Sequence, residues 1–221
     1  MFSNKRVALL ALVFTMAAVL NVTAADDFGA RLNAAAAVLT KLTDSSGRGI
    51  KPEQFAKADC VAVIPGFKKG AAVVGVGFGR GFISCRNGES WSAPGAVTLE
   101  SASLGVQLGG ERIDIVLLSL DKGLRSKLLS DRFTVGSDAA AAWGNGRAKH
   151  DDTDAKVLFF DQSKGAFAGF ALDGATLKAD DSSNAALYGK AIKNSEIVDH
   201  GADTPAVAQP LVAKLTEEVS R

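Results

Sequence analysis

The 221-residue chain is 47% hydrophobic and 22% charged, with 25 Lys and Arg against 24 Asp and Glu. That balance excludes a disordered chain and a multi-span membrane protein. It also excludes a general nucleic-acid binder, which carries a basic surplus.

Lys5 and Arg6 precede an apolar run from Val7 to Leu20, broken only by Thr15. The run is short for a membrane span, and Val22-Thr23-Ala24 supplies small residues at a cleavage position. Residues 1–24 are therefore expected to be a signal peptide, cut after Ala24 or Ala25. Taking Lys5 and Arg6 from the 25 leaves 23 basic against 24 acidic residues, a mature net charge near −1. Residues 25–221 are expected to form a single domain, periplasmic or secreted and peripheral on a membrane if it binds one. Cys60 and Cys85 then meet an oxidising compartment, and a disulfide between them is expected, with two buried thiols as the alternative.

Asp26 to Lys41 predicts a helix with Phe28, Leu32, Ala35, Leu39 and Leu42 on one stripe. The stripe suits either the domain core or a membrane surface, and the opposite face is mostly alanine. Pro52 opens a short second helix. Cys60 to Ile64 predicts a strand ended by Pro65-Gly66, with Lys68 and Lys69 in the following turn. Gly75-Val-Gly-Phe-Gly-Arg-Gly81 places glycine at every second position, a strand pattern with one face stripped of side chains. The ladder lacks the third glycine and the helix of a dinucleotide fingerprint. Predicted strands flank its end at Gly79-Arg80 (Ala71 to Phe78, Gly81 to Arg86). More are expected at Val97 to Leu108, Ile113 to Leu118, Phe133 to Val135, Ala139 to Trp143 and Val157 to Phe160. Phe167 to Leu172 with Ala175 to Lys178 predicts a hairpin. A short helix is expected at Asp121 to Leu129, with Lys122, Arg125 and Lys127 outward. Asn184 to Ile192 and Pro210 to Val219 close the chain as helices.

His150 and His200 are the only histidines, both in polar stretches near acids, and no G-x-S-x-G elbow accompanies them. Asp151, Asp152 and Asp154 lack the glycine and terminal glutamate of a calcium loop. No catalytic residue, metal or cofactor is expected. Arg80 has room between its glycines, and its planar donor fork suits a phosphate, a carboxylate or an internal salt bridge.

The order of blocks identifies a resemblance. Cys60-Val-Ala-Val-Ile-Pro65, Lys69-Gly70, Gly77-Phe-Gly-Arg-Gly81 and Trp91-Ser-Ala-Pro94 resemble the front half of the SYLF lipid-binding domain. Ile113-Asp-Ile-Val-Leu-Leu118 is similar to its aspartate-containing strand. Phe133-Thr-Val-Gly136, Gly144-Asn-Gly-Arg147, Ser163 to Gly169, Leu172-Asp-Gly174 and Asn184 to Gly189 are similar to the back half. The resemblance implies lipid binding, with phosphoinositides as eukaryotic ligands, actin binding in some relatives, and an N-terminal amphipathic helix that engages membranes. This chain is similar to the bacterial exported, single-domain form.

The expectation is an α+β domain with a curved, largely antiparallel β core of glycine-rich strands, an N-terminal helix and C-terminal helices. It binds anionic phospholipids or a membrane surface, without nucleic acid, through Lys68, Lys69, Arg80 and the Phe28/Leu32/Leu39 stripe. The alternative is a periplasmic structural or protein-interaction domain with an envelope protein as partner. In that case the stripe is buried and Arg80 sits in an internal salt bridge.

Overall fold

The computed structural model describes residues 27–44, 49–71, 74–104, 109–143, 155–163, 172 and 174–219. The expected signal peptide, the Gly144–Arg147 block, the His150–Asp154 loop and the first half of the Phe167 hairpin lie outside the described residues.

Helix α1 covers residues 27–43 and α2 covers Pro52–Lys57. Strands β1 (Cys60–Ala71), β2 (Val74–Asn87), β3 (Ser90–Trp91), β4 (Gly95–Leu104) and β5 (Gly109–Ser119) follow. A 3-10 turn at Lys122–Leu124 leads into α3 (Arg125–Leu128). Next come β6 (Phe133–Thr134), β7 (Ala141–Trp143), β8 (Val157–Ser163) and β9 (Thr176–Ala179). Helices α4 (Asp181–Tyr188), α5 (Asn194–Asp199) and α6 (Gln209–Val219) close the described chain.

Eight of these strands form one sheet in the order β6-β9-β4-β2-β1-β5-β8-β7, and β3 pairs with β2. Every pair is antiparallel except β7 with β8. The sheet is curled. Its two edge strands, β6 and β7, are joined by residues 135–140, where Val135 donates to the Ala175 carbonyl and Lys156 N–H to that of Ala140.

The glycine ladder permits the curl. Gly77, Gly79 and Gly81 turn one face of β2 into bare backbone, and Ile64 and Phe67 of neighbouring β1 lie across it. A Cβ at Gly77 would sit 2.3 Å from the Phe67 ring, and one at Gly79 2.6 Å from Ile64. At Gly81 the obstacle is the Val63 carbonyl oxygen at 2.0 Å.

Two apolar cores result from the period-two alternation of the strands. On the inner face, Ile64, Phe67, Ile83, Leu99, Ile115, Phe133, Phe159 and Leu177 meet Leu124 and Leu128 near α3 and Ile197 of α5. On the outer face, Val61, Val63, Phe82, Val116, Leu118 and Phe160 are covered by α1 and by Leu211 and Leu215 of α6.

Polar anchors fix the helices to the sheet. Buried Asn184 accepts from Ala96 N–H at 2.7 Å and donates to Asn194, which donates to the Ala96 carbonyl at 3.1 Å. Asn194 occupies the space a side chain on Gly95 would need. The Trp91-Ser-Ala-Pro94 block is structural too. Ser92 Oγ accepts from Cys85 N–H, and the Tyr188 hydroxyl donates to the Pro94 carbonyl at 2.8 Å. Burial holds the Tyr188 phenol above its usual titration range. Cys60 and Cys85 are directly opposed on β1 and β2 and joined as a disulfide.

Three sequence expectations are corrected. Pro65-Gly66 does not end the first strand. It forms a bulge within β1, with Gly66 at a φ of 60°. The ladder does not separate two strands, because β2 runs unbroken to Asn87. Asn184 to Ile192 is not one helix, since α4 ends at Gly189 in the left-handed conformation that glycine favours.

Candidate functional site

The candidate site is the half of the outer face that the helices leave open. In β2, Gly75, Gly77 and Gly79 are buried while Val76, Phe78 and Arg80 alternate outward. Val76 is 61% and Phe78 46% exposed, the large hydrophobic residues the described surface leaves uncovered. Cross-strand register supplies their neighbours, since directly opposed residues point to the same face. Phe78 lies opposite Lys68 on β1 and Glu100 on β4, and Lys68 lies opposite Arg112 on β5. Val76 lies opposite Gly70 and Ala102, which offer little to cover it.

Lys68 and Arg112 are exposed and have no acidic partner among the described residues. Arg80 lies two residues along β2 from Phe78, with its guanidinium 5.8 Å from the ring centroid. Its side chain is 53% exposed and stands 3.9 Å from Asp180. Burial raises the Asp180 pKa. The Ser182 and Ser183 hydroxyls, the Ser183 N–H and Arg80 outweigh that and hold it below the ordinary carboxylate value. On the same face, Lys178 is neutralised by Glu100 at 2.5 Å. The open face thus carries Lys68, Arg80 and Arg112 around an apolar pair.

The bulge shapes this face. Gly66 N–H donates to Asp114 Oδ1 at 2.8 Å, so the aspartate of β5 holds the distortion. Beyond it, an open groove of about 440 Å³ runs between α1 and the bulge. Its floor is the alanine side of α1, at Ala30, Ala34 and Ala37, and Arg112 belongs to both groove and face. Asp27 pairs with Arg31 at the groove's end.

The expected site residues separate. Lys68 and Arg80 share the outer face. Lys69 follows Lys68 within a strand, so it projects to the opposite side, where its Cα partner on β2 is Gly77. Phe28, Leu32 and Leu39 are buried in the outer core against the sheet and α6. The apolar stripe of α1 is a packing surface in this conformation, because the sheet offers it Val61, Val63 and Val116 to cover. Arg125 is not outward. It clasps buried Asp59 with bonds of 2.9 and 2.6 Å and donates to the Arg86 carbonyl at 2.7 Å. The Asp59 bonds outweigh desolvation and raise its pKa further. Arg86 stacks 4.5 Å from the Trp91 ring, and burial lowers its pKa despite Asp59. His200 is exposed at the end of α5. Sequence reasoning missed Val76, Phe78 and Arg112. The signal for the first two was the ladder itself, whose odd positions imply a second face carrying Val76, Phe78 and Arg80 together.

No solved structure matches the chain. Its sequence, however, matches a family model described as "Ysc84: Las17-binding protein actin regulator" over residues 100–218. SH3 domain-containing YSC84-like protein 1 of Xenopus laevis is 32% identical over 168 residues, 71% of this chain and 50% of the relative. The protein of the same name from Bos taurus is 29% identical over 189 residues, 80% of this chain and 55% of the relative. Protein YSC84 of Saccharomyces cerevisiae is 29% identical over 185 residues, 74% of this chain and 39% of the relative. The chain spans about half the length of the first two relatives. Together the match of the family model across more than half of the sequence and the similarity to these relatives place the chain: it belongs to the Ysc84, or SYLF, family.

Proposed function

We propose that this domain is a non-enzymatic binding module that docks on anionic phospholipid surfaces through the open outer face of its sheet. The observation that carries the reading is the clustering of Lys68, Arg112 and Arg80, the last also 3.9 Å from Asp180, on one sheet face. Each cation near an anionic bilayer contributes about 1 kcal/mol, so three give weak, salt-sensitive attachment. Among the described residues no helix is long and apolar enough to cross a membrane, and the proposed mode is peripheral. The setting, also proposed, is outside the cytoplasm of a bacterial cell, from the basic and apolar start of the chain. N-terminal sequencing of protein recovered from expressing cells checks it, with Ala25 or Asp26 as the expected first residue.

Co-sedimentation with vesicles tests the docking. The protein is expected to pellet with phosphatidylglycerol and cardiolipin vesicles and not with zwitterionic ones. Salt and the Lys68→Ala/Arg80→Ala pair should each weaken the binding. No binding to any vesicle overturns the reading. A protein ligand on the same face is the second reading. Three observations favour it: the family description names a protein partner, the α1 stripe is buried, and Arg80 pairs with Asp180 at 3.9 Å, the ion pair expected of that alternative.

A further inference from the structure

We propose that Val76 and Phe78 form a shallow membrane anchor, a pair of apolar side chains that enter the acyl region while Lys68, Arg80 and Arg112 hold the phosphates around them. This rests on the docking reading above and assigns the depth-setting contact within it.

Four observations point to a bilayer as the occupant. First, an exposed valine and phenylalanine stand side by side on one strand face, whereas the rest of the outer-face apolar surface lies beneath α1 and α6. Second, their surroundings are small or charged with a cationic excess: Gly70 and Ala102 flank Val76, while Phe78 stands between Lys68 and a Glu100 that Lys178 already neutralises. An apolar centre with Lys68 and Arg112 on its β1–β5 side and Arg80 next along β2 complements an interface that is anionic outside and apolar within. Third, Arg80 already lies 5.8 Å from the Phe78 ring centroid. Its long stem lets the guanidinium stay at phosphate level while the ring descends. Fourth, β2 is paired on both sides, with β1 and β4, along this stretch. Its backbone N–H and C=O groups are satisfied by the sheet, as entry into an apolar medium requires. The anchor is also preorganised. The strand is fixed, and a phenylalanine has few rotamers to lose.

The inference replaces the apolar face of the N-terminal helix with a sheet face. It therefore requires no unpacking of Phe28, Leu32 or Leu39 from the core.

The test uses the whole protein and vesicles of phosphatidylglycerol with phosphatidylcholine, in three arms. Wild type is compared with Val76→Ser/Phe78→Ser, both solvent-exposed positions, with circular dichroism confirming that the fold is kept. A Phe78→Trp variant is measured with lipids brominated along the acyl chain, against the wild-type tryptophan background. The serine variant is expected to bind about ten- to thirtyfold more weakly, from the apolar area withheld. Binding that survives high salt should disappear with it, and the Phe78→Trp emission should be quenched beyond the wild-type background. Equal binding of wild type and serine variant, with Phe78→Trp unquenched, overturns the anchor and leaves electrostatic docking standing. Failure of wild type to bind any vesicle overturns the docking reading itself, and the anchor with it.

Discussion

Replacing Gly77 with alanine tests whether the glycine face of β2 exists to admit β1. The added Cβ would lie 2.3 Å from Phe67 Cζ and 2.4 Å from Ser101 Oγ. Phe67 is fully buried and cannot swing into solvent. Overpacking of this kind costs about 1–3 kcal/mol, partly offset by about 0.5–1 kcal/mol from the stiffer unfolded chain. A net loss of about 1 kcal/mol follows. Phe67→Leu alone opens a small cavity and should cost about 1.5 kcal/mol. If the Phe67 ring is the obstacle, the two changes relieve each other, and the double variant should fall short of additivity by about 1–2 kcal/mol. Gly81→Ala is the control. Its obstacle is the Val63 carbonyl at 2.0 Å, which truncating Phe67 does not move, so that pair should add. Urea unfolding followed by circular dichroism gives all of these free energies. Additive losses for Gly77→Ala and Phe67→Leu would refute the reasoning, as would a Gly77→Ala protein as stable as wild type.

Three further predictions concern what holds the fold. The disulfide closes a separation of 25 residues. In the chain-entropy picture its reduction should remove about 3.5 kcal/mol, read as a lower urea midpoint, and two free thiols in the non-reduced mass spectrum would contradict the bond. Asp59→Asn breaks a bidentate pair whose carboxylate is buried and should cost about 3 kcal/mol. Arg125→Lys should fail to restore the geometry, since lysine has no planar fork, and an unchanged melting temperature in either variant would count against the clasp. Asp180 caps α4 through Ser183 N–H at 3.0 Å, so Asp180→Ala should cost about 1 kcal/mol. Its folded pKa is depressed. Its contribution is therefore complete above the unfolded value of about 3.9 and lost as pH falls through the folded one. The variant's stability should converge on that of wild type in strong acid, and a constant gap at all pH would rule out that linkage.

Much of the architecture was legible because periodicity is local. The stripe at Phe28, Leu32, Ala35, Leu39 and Leu42 marked α1, and alternate glycines marked β2. Yet the stripe alone did not say what it packs against, and only the pairing of Val61, Val63 and Val116 on one sheet face decided for the core. Local sequence makes Pro65-Gly66 look like a strand end, because Asp114, which satisfies Gly66 N–H in the bulge, lies 48 residues away. Arg125 looks outward by helix period for the same reason, since its partner Asp59 lies 66 residues away. Lys68 and Lys69 share a patch only if they lie in a turn; in a strand, period two puts them on opposite faces. Arg112 gave no local signal, because its place beside Lys68 depends on the register of β1 with β5.

The central claim is that one face, rather than overall charge, binds the membrane. Charge reversal separates the two. Lys68→Glu/Arg112→Glu changes the net charge by the same amount as Lys122→Glu/Arg132→Glu, whose positions are exposed and lie off the β1–β2–β5 face. Co-sedimentation with phosphatidylglycerol vesicles at low salt should be abolished by the first pair and nearly unchanged by the second. Equal loss in both variants, or binding retained by Lys68→Glu/Arg112→Glu, would contradict the account.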